Sequence, residues 1–357
     1  MTIKLKVVVF GRGTGESILV ELEENKWMVV DCFNNPKTKE PAPISYLKSI
    51  GLDPAEVICK VVITHFHQDH VSGMYNLIQS ISSDAKIYVS QAMTVDEAKA
   101  YYSEIDILNN DETLSGISEF CKIINLLNDS GRKVVKLKQD SMIYMSNDIA
   151  ISAISPSEFD NEIASQGFVA LINESRQHHS VSQAKKKTPN NFCVALCMKC
   201  LATGESIVLG SDLEICSDPR SGWDSAIGSE TGPSSKSIRV MKIAHHGSHN
   251  GFHQPTWDNF TNEGVIAVLT TFDRQKLPRG DFVEKYKLYT NSLLSTTKPK
   301  SKLEIVLPKS SQKKIESQKG FSVNVRGVSP KSQFGYVETF KRENTYEYNL
   351  YGDAVKL

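Results

Sequence analysis

The stretch T-H-F-H-Q-D-H-V-S-G-M, Thr64 to Met74, puts three of the chain's nine histidines and one aspartate into six positions, directly after the apolar run Val61, Val62, Ile63. Imidazole and carboxylate groups are costly to bury unless they are hydrogen-bonded or bound to a metal. A short buried strand that delivers them at its end therefore predicts chemistry rather than packing. If the strand continues, His65 and His67 fall on one face and share one metal. Asp69 and His70 follow as the chain turns into a helix, with Gly73 permitting close packing, and point to a second metal. Four side chains cannot complete two coordination shells, so ligands from elsewhere are required.

The chain supplies candidates. Asp212 closes the strand I-V-L-G-S-D, and His245 with His246 closes R-V-M-K-I-A-H-H-G-S. Seven of the nine histidines lie in the windows 65–70 and 245–253, a clustering that scattered core histidines would not give.

Composition bounds the rest. Hydrophobic residues at 40% and charged residues at 23% are ordinary globular usage, which excludes fibrous and bulk-disordered classes. Lys plus Arg equals Asp plus Glu at 41 each, so no global field steers the protein to a polyanion, and any such site must be local. The opening M-T-I-K-L-K-V-V-V-F alternates like a strand and lacks a signal-peptide core, and no later run reaches about 18 apolar residues. The expectation is a soluble, cytoplasmic protein without membrane insertion. Seven widely spaced cysteines predict reduced thiols. Among them, Cys193, Cys197 and Cys200 in N-F-C-V-A-L-C-M-K-C read as a buried strand rather than a metal knuckle.

Along the chain, strands are expected at 4–10 and 16–31, joined by G-R-G-T-G, with Asn25 marking a second tight turn. A short helix over 44–51 stops at Gly51, and Lys60–Ile63 leads into the histidine cluster. Further strands are expected at 85–89, 133–137, 142–144, 149–154, 192–198, 206–212, 239–244 and 264–271. Helices are expected at 95–107, at the Ile117, Cys121, Ile124, Asn128 repeat, and at 281–294. From 155 to 190 the pattern weakens, which predicts a long mobile loop insertion over 157–188. Residues 298–357 read as a C-terminal β extension of one domain spanning 1–357. Strands grouped with helices between them give an α+β class.

H-F-H-Q-D-H resembles the H-x-H-x-D-H signature of the metallo-β-lactamase superfamily, and Asp31, at the end of W-M-V-V-D, resembles its first aspartate. Asp212 looks like the family's metal-bridging aspartate and H-H-G-S like its final histidine motif. More narrowly, G-R-G-T-G-E-S-I-L-V-E-L, P-N-N-F-C-V-A-L, I-V-L-G-S-D-L-E and M-K-I-A-H-H-G-S-H are similar to the C-terminal domain of the ComEC competence proteins, as is the closing G-D-A-V-K-L. The resemblance implies a four-layer αββα sandwich and two divalent metal ions, zinc or manganese. His65 and His67 would hold the first ion, and Asp69, His70 and one of His245 or His246 the second. Asp212 would join them. His246 is the favoured ligand and His245 the favoured donor to substrate, with Asp31 orienting a ligand histidine. Asp69, His245 and Asp31 thus form the implied catalytic set. Dinuclear relatives supply a further histidine where this chain reads T-P-N-N-F, so Asn190 or Asn191 stands there. The ComEC-like N-x-Y-x-H-P segment is replaced by D-R-Q-K-L-P-R-G.

A metal pair brings the pKa of bound water from about 16 toward about 7, which suits hydrolysis of a phosphodiester or of a carbonyl ester. Arg274, Lys276 and Arg279 could grip phosphate oxygens, and Asn190, Asn191 and Ser248 are further candidate substrate contacts. The lysine-rich run 298–314 could follow a nucleic-acid backbone. The leading expectation is a phosphodiesterase or nuclease acting on nucleic acid or another phosphodiester. The alternatives are a small-molecule ester, lactone or thioester hydrolase, and a metal-bound interaction module.

Overall fold

The opening strands are apolar on both faces, K-V-V-V-F-G and E-S-I-L-V-E-L-E, which is the pattern of a sheet covered on two sides. In a computed structural model, which describes residues 5–107, 115–178, 189–300 and 333–357, that covering is a second sheet on one face and helices on the other. The first sheet contains β1 (Lys6–Gly11), β2 (Glu16–Glu23), β3 (Lys26–Val30), β4 (Ile58–Ile63), β5 (Lys86–Ser90) and β6 (Val134–Leu137). The C-terminal strands β14 (Gly335–Arg342) and β15 (Thr345–Gly352) extend it, in the order β15-β14-β1-β2-β3-β4-β5-β6. From β3 to β6 the pairing is parallel.

The second sheet contains β7 (Met142–Met145), β8 (Ile149–Ala153), β9 (Leu196–Cys200), β10 (Ser206–Leu209), β11 (Ile238–Lys242), β12 (Thr261–Leu269), β13 (Ser292–Ser295) and β16 (Val355–Lys356). Its order is β16-β13-β12-β11-β10-β9-β8-β7, parallel from β10 to β13. Val7, Val9, Val20 and Val30 of the first sheet meet Ile151, Leu196, Ile207 and Val268 of the second in one apolar layer.

Alternate residues of the first sheet, Val8, Leu19 and Val29, face helices. These are α1 (Ala42–Ser49), α2 (Pro54–Val57), α3 (Gln68–Val71), α4 (Met74–Ser80), α5 (Asp96–Ile107), α6 (Ser115–Asp129) and α7 (Glu158–His178). On the outer face of the second sheet, α8 (Gly222–Ile227), α9 (Gln254–Asn259) and α10 (Gly280–Lys287) pack Trp223, Trp257 and Tyr286. The result is the expected αββα sandwich of the metallo-β-lactamase type.

Two expectations are corrected. Residues 158–178, expected within the mobile loop 157–188, form α7, and 179–188 lie outside the described residues. The helix starts at a reciprocal cap: Ser157 Oγ accepts from Asp160 N (3.0 Å) while the Asp160 carboxylate accepts from Ser157 N (2.9 Å). Ala164, Phe168, Leu171 and Ile172 then form a buried stripe at helical spacing. The helix expected over 281–294 ends at Lys287, because Leu293 and Leu294 pair with β12 as β13. Most of the lysine-rich run, 301–314, lies outside the described residues. Among those described, no helix is long and apolar enough to cross a membrane, and all seven cysteines are free.

Candidate metal centre

Five strands end at one place. Asp31 follows β3, Thr64 and His65 follow β4, Asp212 follows β10, His245 and His246 follow β11, and Thr270 follows β12. Strand β4 stops at Ile63, so His65 and His67 do not share a strand face as expected. The loop before α3 brings them together instead, with His65 Nε2 3.0 Å from His67 Nδ1. The turns are tight: Asp31, Ser211, His245 and His246 all have φ between 45° and 55°. Each such residue costs about 1–3 kcal/mol and persists only where its surroundings hold it. Here Asp31 N donates to Val62 O (2.9 Å) and His245 N to Ser211 O (2.9 Å).

Hydrogen bonds assign the histidine tautomers. Thr64 donates to Asp31 from both its backbone N (2.8 Å) and its Oγ1 (2.6 Å). That hydroxyl is 2.9 Å from His65 Nδ1, which is left to donate. His70 Nδ1 lies 2.6 Å from Asp31 Oδ2. Thr270 Oγ1 donates to Glu16 Oε2 (2.7 Å), so His246 Nδ1, 2.8 Å away, donates to the threonine. In each ring the proton sits on Nδ1 and the lone pair on Nε2 turns inward.

The Nε2 atoms and the carboxylates crowd together in a way that suits a shared cation between them. His246 Nε2 is 3.0 Å from Asp69 Oδ2, and Asp212 lies 3.8 Å from His65 Nε2, 3.3 Å from His70 Nε2 and 3.8 Å from His246 Nε2. Two compact groups result, His65–His67–Asp212 and Asp69–His70–His246, and two more join Asp31 with His65 and His70, and Glu16 with Asp212 and His246. In each, the candidate ligand atoms lie within 4.8 Å of one another. His70 Nε2 and Asp212 Oδ1 are buried and without a hydrogen-bond partner, the mark of a site shaped for another species. Burial by itself lowers the His70 pKa, but the carboxylates of Asp212, Asp31 and Asp69 outweigh it and hold the pKa well above the usual histidine value. Burial, with the neighbouring His70 and His67, pushes His65 well below it. Three carboxylates around one fully buried imidazole give the pocket excess negative charge, and divalent cations answer that charge directly. The donor set therefore fits a metal pair.

His245 faces the rim, with Nδ1 2.9 Å from Glu214 Oε1 and Nε2 3.4 Å from Asn190 Nδ2. Burial lowers its pKa, yet the Glu214 hydrogen bond and the Asp212 and Glu214 charges leave it raised. Asn190 is buried and also donates to Glu214 (2.8 Å), whereas Asn191 is exposed. Ser248 shapes the histidine turn itself: its N donates to His245 O (2.9 Å) and its Oγ accepts from Gly251 N (3.1 Å). Arg274 Nη1 reaches Gln68 Oε1 (3.3 Å), between His67 and Asp69, while Lys276 and Arg279 are exposed. His178 ends α7 and His179 lies outside the described residues.

Sequence reading missed Arg12, Glu16, Thr64, Glu214, Lys242 and Thr270. Lys242 carried a usable signal, since it interrupts the apolar run V-M-K-I-A, and a buried charge demands a partner. Arg12, in the glycine-rich turn, gives Nη1 to Asn34 O (3.1 Å) and Nη2 to Ser72 Oγ (3.4 Å).

The family model of the metallo-beta-lactamase superfamily matches residues 10–91. Solved structures similar to the chain include hydrolase AbOPH of the beta lactamase superfamily, at 17% identity over 55% of this chain and 55% of that one (TM-score 0.31). Others are human tRNase Z, short form (14%, 66% and 76%, TM-score 0.35), and a metallo-beta-lactamase from Staphylococcus aureus (14%, 59% and 44%, TM-score 0.32). The chain thus spans 55% of the hydrolase's length and 44% of the staphylococcal protein's. None of the curated proteins matches the chain in sequence. Stacked mixed sheets thus gather His and Asp groups at the carboxyl ends of their strands, and over residues 10–91 the chain matches the pattern of the metallo-beta-lactamase superfamily.

Proposed function

We propose that the protein is a phosphodiesterase or nuclease of the ComEC-like branch, a single domain spanning 1–357. In this reading His65, His67 and Asp212 would hold one divalent cation, and Asp69, His70 and His246 would hold a second. When bound, the two cations supply Lewis acidity and positive charge for hydrolysis at neutral pH. The single observation that carries the substrate class is the placement of two guanidinium groups on the turn that holds Asp69 and His70: Arg274 Nη1 reaches Gln68 Oε1 (3.3 Å) and Arg12 Nη2 reaches Ser72 Oγ (3.4 Å). Burial lowers the Arg12 pKa, the nearby Arg274 lowers it further, and Asp69 and Cys32 act the other way. An anion bound at this turn would have two guanidinium groups within reach, and a phosphate diester offers oxygens that match them.

The chain's own residues divide the remaining work. Asp31 and Thr64 fix the His70 and His65 rings, Thr270 fixes His246, and His245, held by Glu214 and Asn190, is assigned as the donor to the leaving oxygen.

With added Mn²⁺ or Zn²⁺ the purified protein should cleave bis(4-nitrophenyl) phosphate or DNA. Asp212→Ala should lower that rate by about 100-fold or more. Arg12→Ala and Arg274→Ala should each raise KM for the diester by about tenfold, the worth of a charge-assisted hydrogen bond. Turnover of lactones or thioesters without diester cleavage would establish the small-molecule alternative, and full metal loading without any turnover the interaction module.

A further inference from the structure

Away from the metal centre, a cavity of about 560 Å³ opens between α5, α6 and β6. Its size is within the range of about 300–1,000 Å³ usual for small-ligand sites. Ile124 and Leu127 of α6 supply part of an apolar wall, and Arg132, Lys133 and Lys136 stand beside it. The lining carries four basic residues and no acid, and one of the four, Lys99, is paired with Asp96 (2.7 Å). Two donors in that lining, Tyr102 Oη and Arg132 Nε, are buried with no hydrogen-bond partner. The Arg132 fork is fixed, since its Nη atoms donate to the carbonyl oxygens of Ile78, Ser82 and Ala85 at 3.5, 3.3 and 2.8 Å. Burial also raises the Tyr102 pKa well above its usual value, so the phenol remains a donor.

We propose that this cavity binds an amphipathic anion, with an apolar chain against Ile124 and Leu127 and a carboxylate or phosphate head toward Tyr102, Arg132 and the two lysines. An apolar wall alone would accept any hydrophobe, but an unpartnered phenol donor beside Arg132, Lys133 and Lys136 selects an acceptor-rich head. The site is one ring from the metal loop: Tyr102 and Phe120 lie 6.1 and 6.2 Å from Phe66, which stands between His65 and His67. It shares no residue with the metal groups, and the inference does not depend on which reaction they perform.

Isothermal titration of the full chain with dodecanoate, dodecyl phosphate and dodecanol, below their aggregation limits, tests it. Saturable one-to-one binding of dodecanoate or dodecyl phosphate is expected, with dodecanol at least about fivefold weaker, and the order of the two anions tells a carboxylate source from a phosphate one. Lys133→Glu with Lys136→Glu should weaken the anions at least about fivefold and leave dodecanol unchanged, as reversal of two exposed charges does. Ile124→Trp should fill the cavity and abolish binding of all three. Should that variant fail to fold, the surface lysine pair alone decides. No saturable binding of either anion, equal binding of dodecanol, or anion affinity unmoved by the lysine reversal overturns the proposal.

Discussion

Glu16 and Lys242 are each 1% exposed and form an ion pair beneath His246. Glu16 also accepts from Thr270 (2.7 Å), and Lys242 Nζ donates to Ser211 O (3.1 Å), so the two charges tie the turns after β10 and β12 to β2. Two consequences separate cleanly. Thr270→Val keeps the side chain's shape but removes the oxygen that His246 Nδ1 meets at 2.8 Å. Metal affinity, read by competition with a chelator, should fall about 10- to 100-fold while the fold survives. Glu16→Gln instead leaves Lys242 buried without its counter-charge, a change that costs about 3–5 kcal/mol. Denaturant unfolding should register that loss, and Lys242→Met added to Glu16→Gln should restore much of it. If Glu16→Gln alone unfolds like the wild type, the pair is not holding the site together.

At the scale of elements, α7 decides whether the helical layer over the first sheet is a built part of the fold. Its reciprocal cap predicts that Ser157→Ala lowers stability by about 0.5–2 kcal/mol. Phe168→Ala, which empties a position packed on Tyr101 and Phe192 at 5.6 and 5.9 Å, should cost about 3–5 kcal/mol. Thermal melts of both variants check the order. An unstructured insertion would register neither. This helix also marks the limit of what the sequence disclosed. The strands announce themselves because both faces are buried, and their apolar runs are continuous. The histidine clusters do so because residues of that kind have no ordinary structural use so close together. In α7 the apolar residues are diluted by Glu, Asp, Asn and Gln, and its cap uses Asp rather than the Glu of a familiar capping box, so the polar tail beyond it dominated the reading. Similarly, Leu293 and Leu294 extend a helical pattern in sequence, and only the neighbouring β12 edge, a non-local partner, makes them a strand. The site's supporting groups were hidden for the same reason: Thr64, Thr270 and Glu214 acquire their roles from residues far along the chain.

For the whole molecule, the candidate metal ligands come from both halves of the sandwich, so the relative position of the sheets sets the site. At the opposite end of β10 a second tie crosses between sheets: Glu205 accepts from Lys341 of β14 (2.6 Å) and from Arg239 of β11 (2.8 Å). Burial raises the Glu205 pKa, but the hydrogen bonds from Lys341, Arg239 and Thr203 outweigh it, and the folded value lies below the ordinary 4.5. The sign follows directly. A carboxylate whose folded pKa is depressed contributes stability that is complete above the unfolded pKa and disappears as pH falls through the folded one. Glu205→Gln should therefore destabilise the protein at pH 7, by about 3 kcal/mol because Lys341 is left buried beside a neutral group. The gap from wild type should close as pH drops below about 4.5. Metal removal acts at the other end of the sandwich. A ligand at about 1,000 times its Kd stabilises by about 4 kcal/mol, so chelation should lower the melting temperature of wild type and variant alike. Strand β10 is four residues, about 13 Å, and separates Glu205 from the turn that carries Asp212. Sites farther apart than about 7–10 Å with no shared partner add independently. The Glu205→Gln and chelation effects should thus sum within about 0.5 kcal/mol in a denaturant titration at pH 7. A clear excess over that sum would mean that the two ends of the sandwich move as one, and that the sheet-to-sheet tie is itself part of how the metal centre is held.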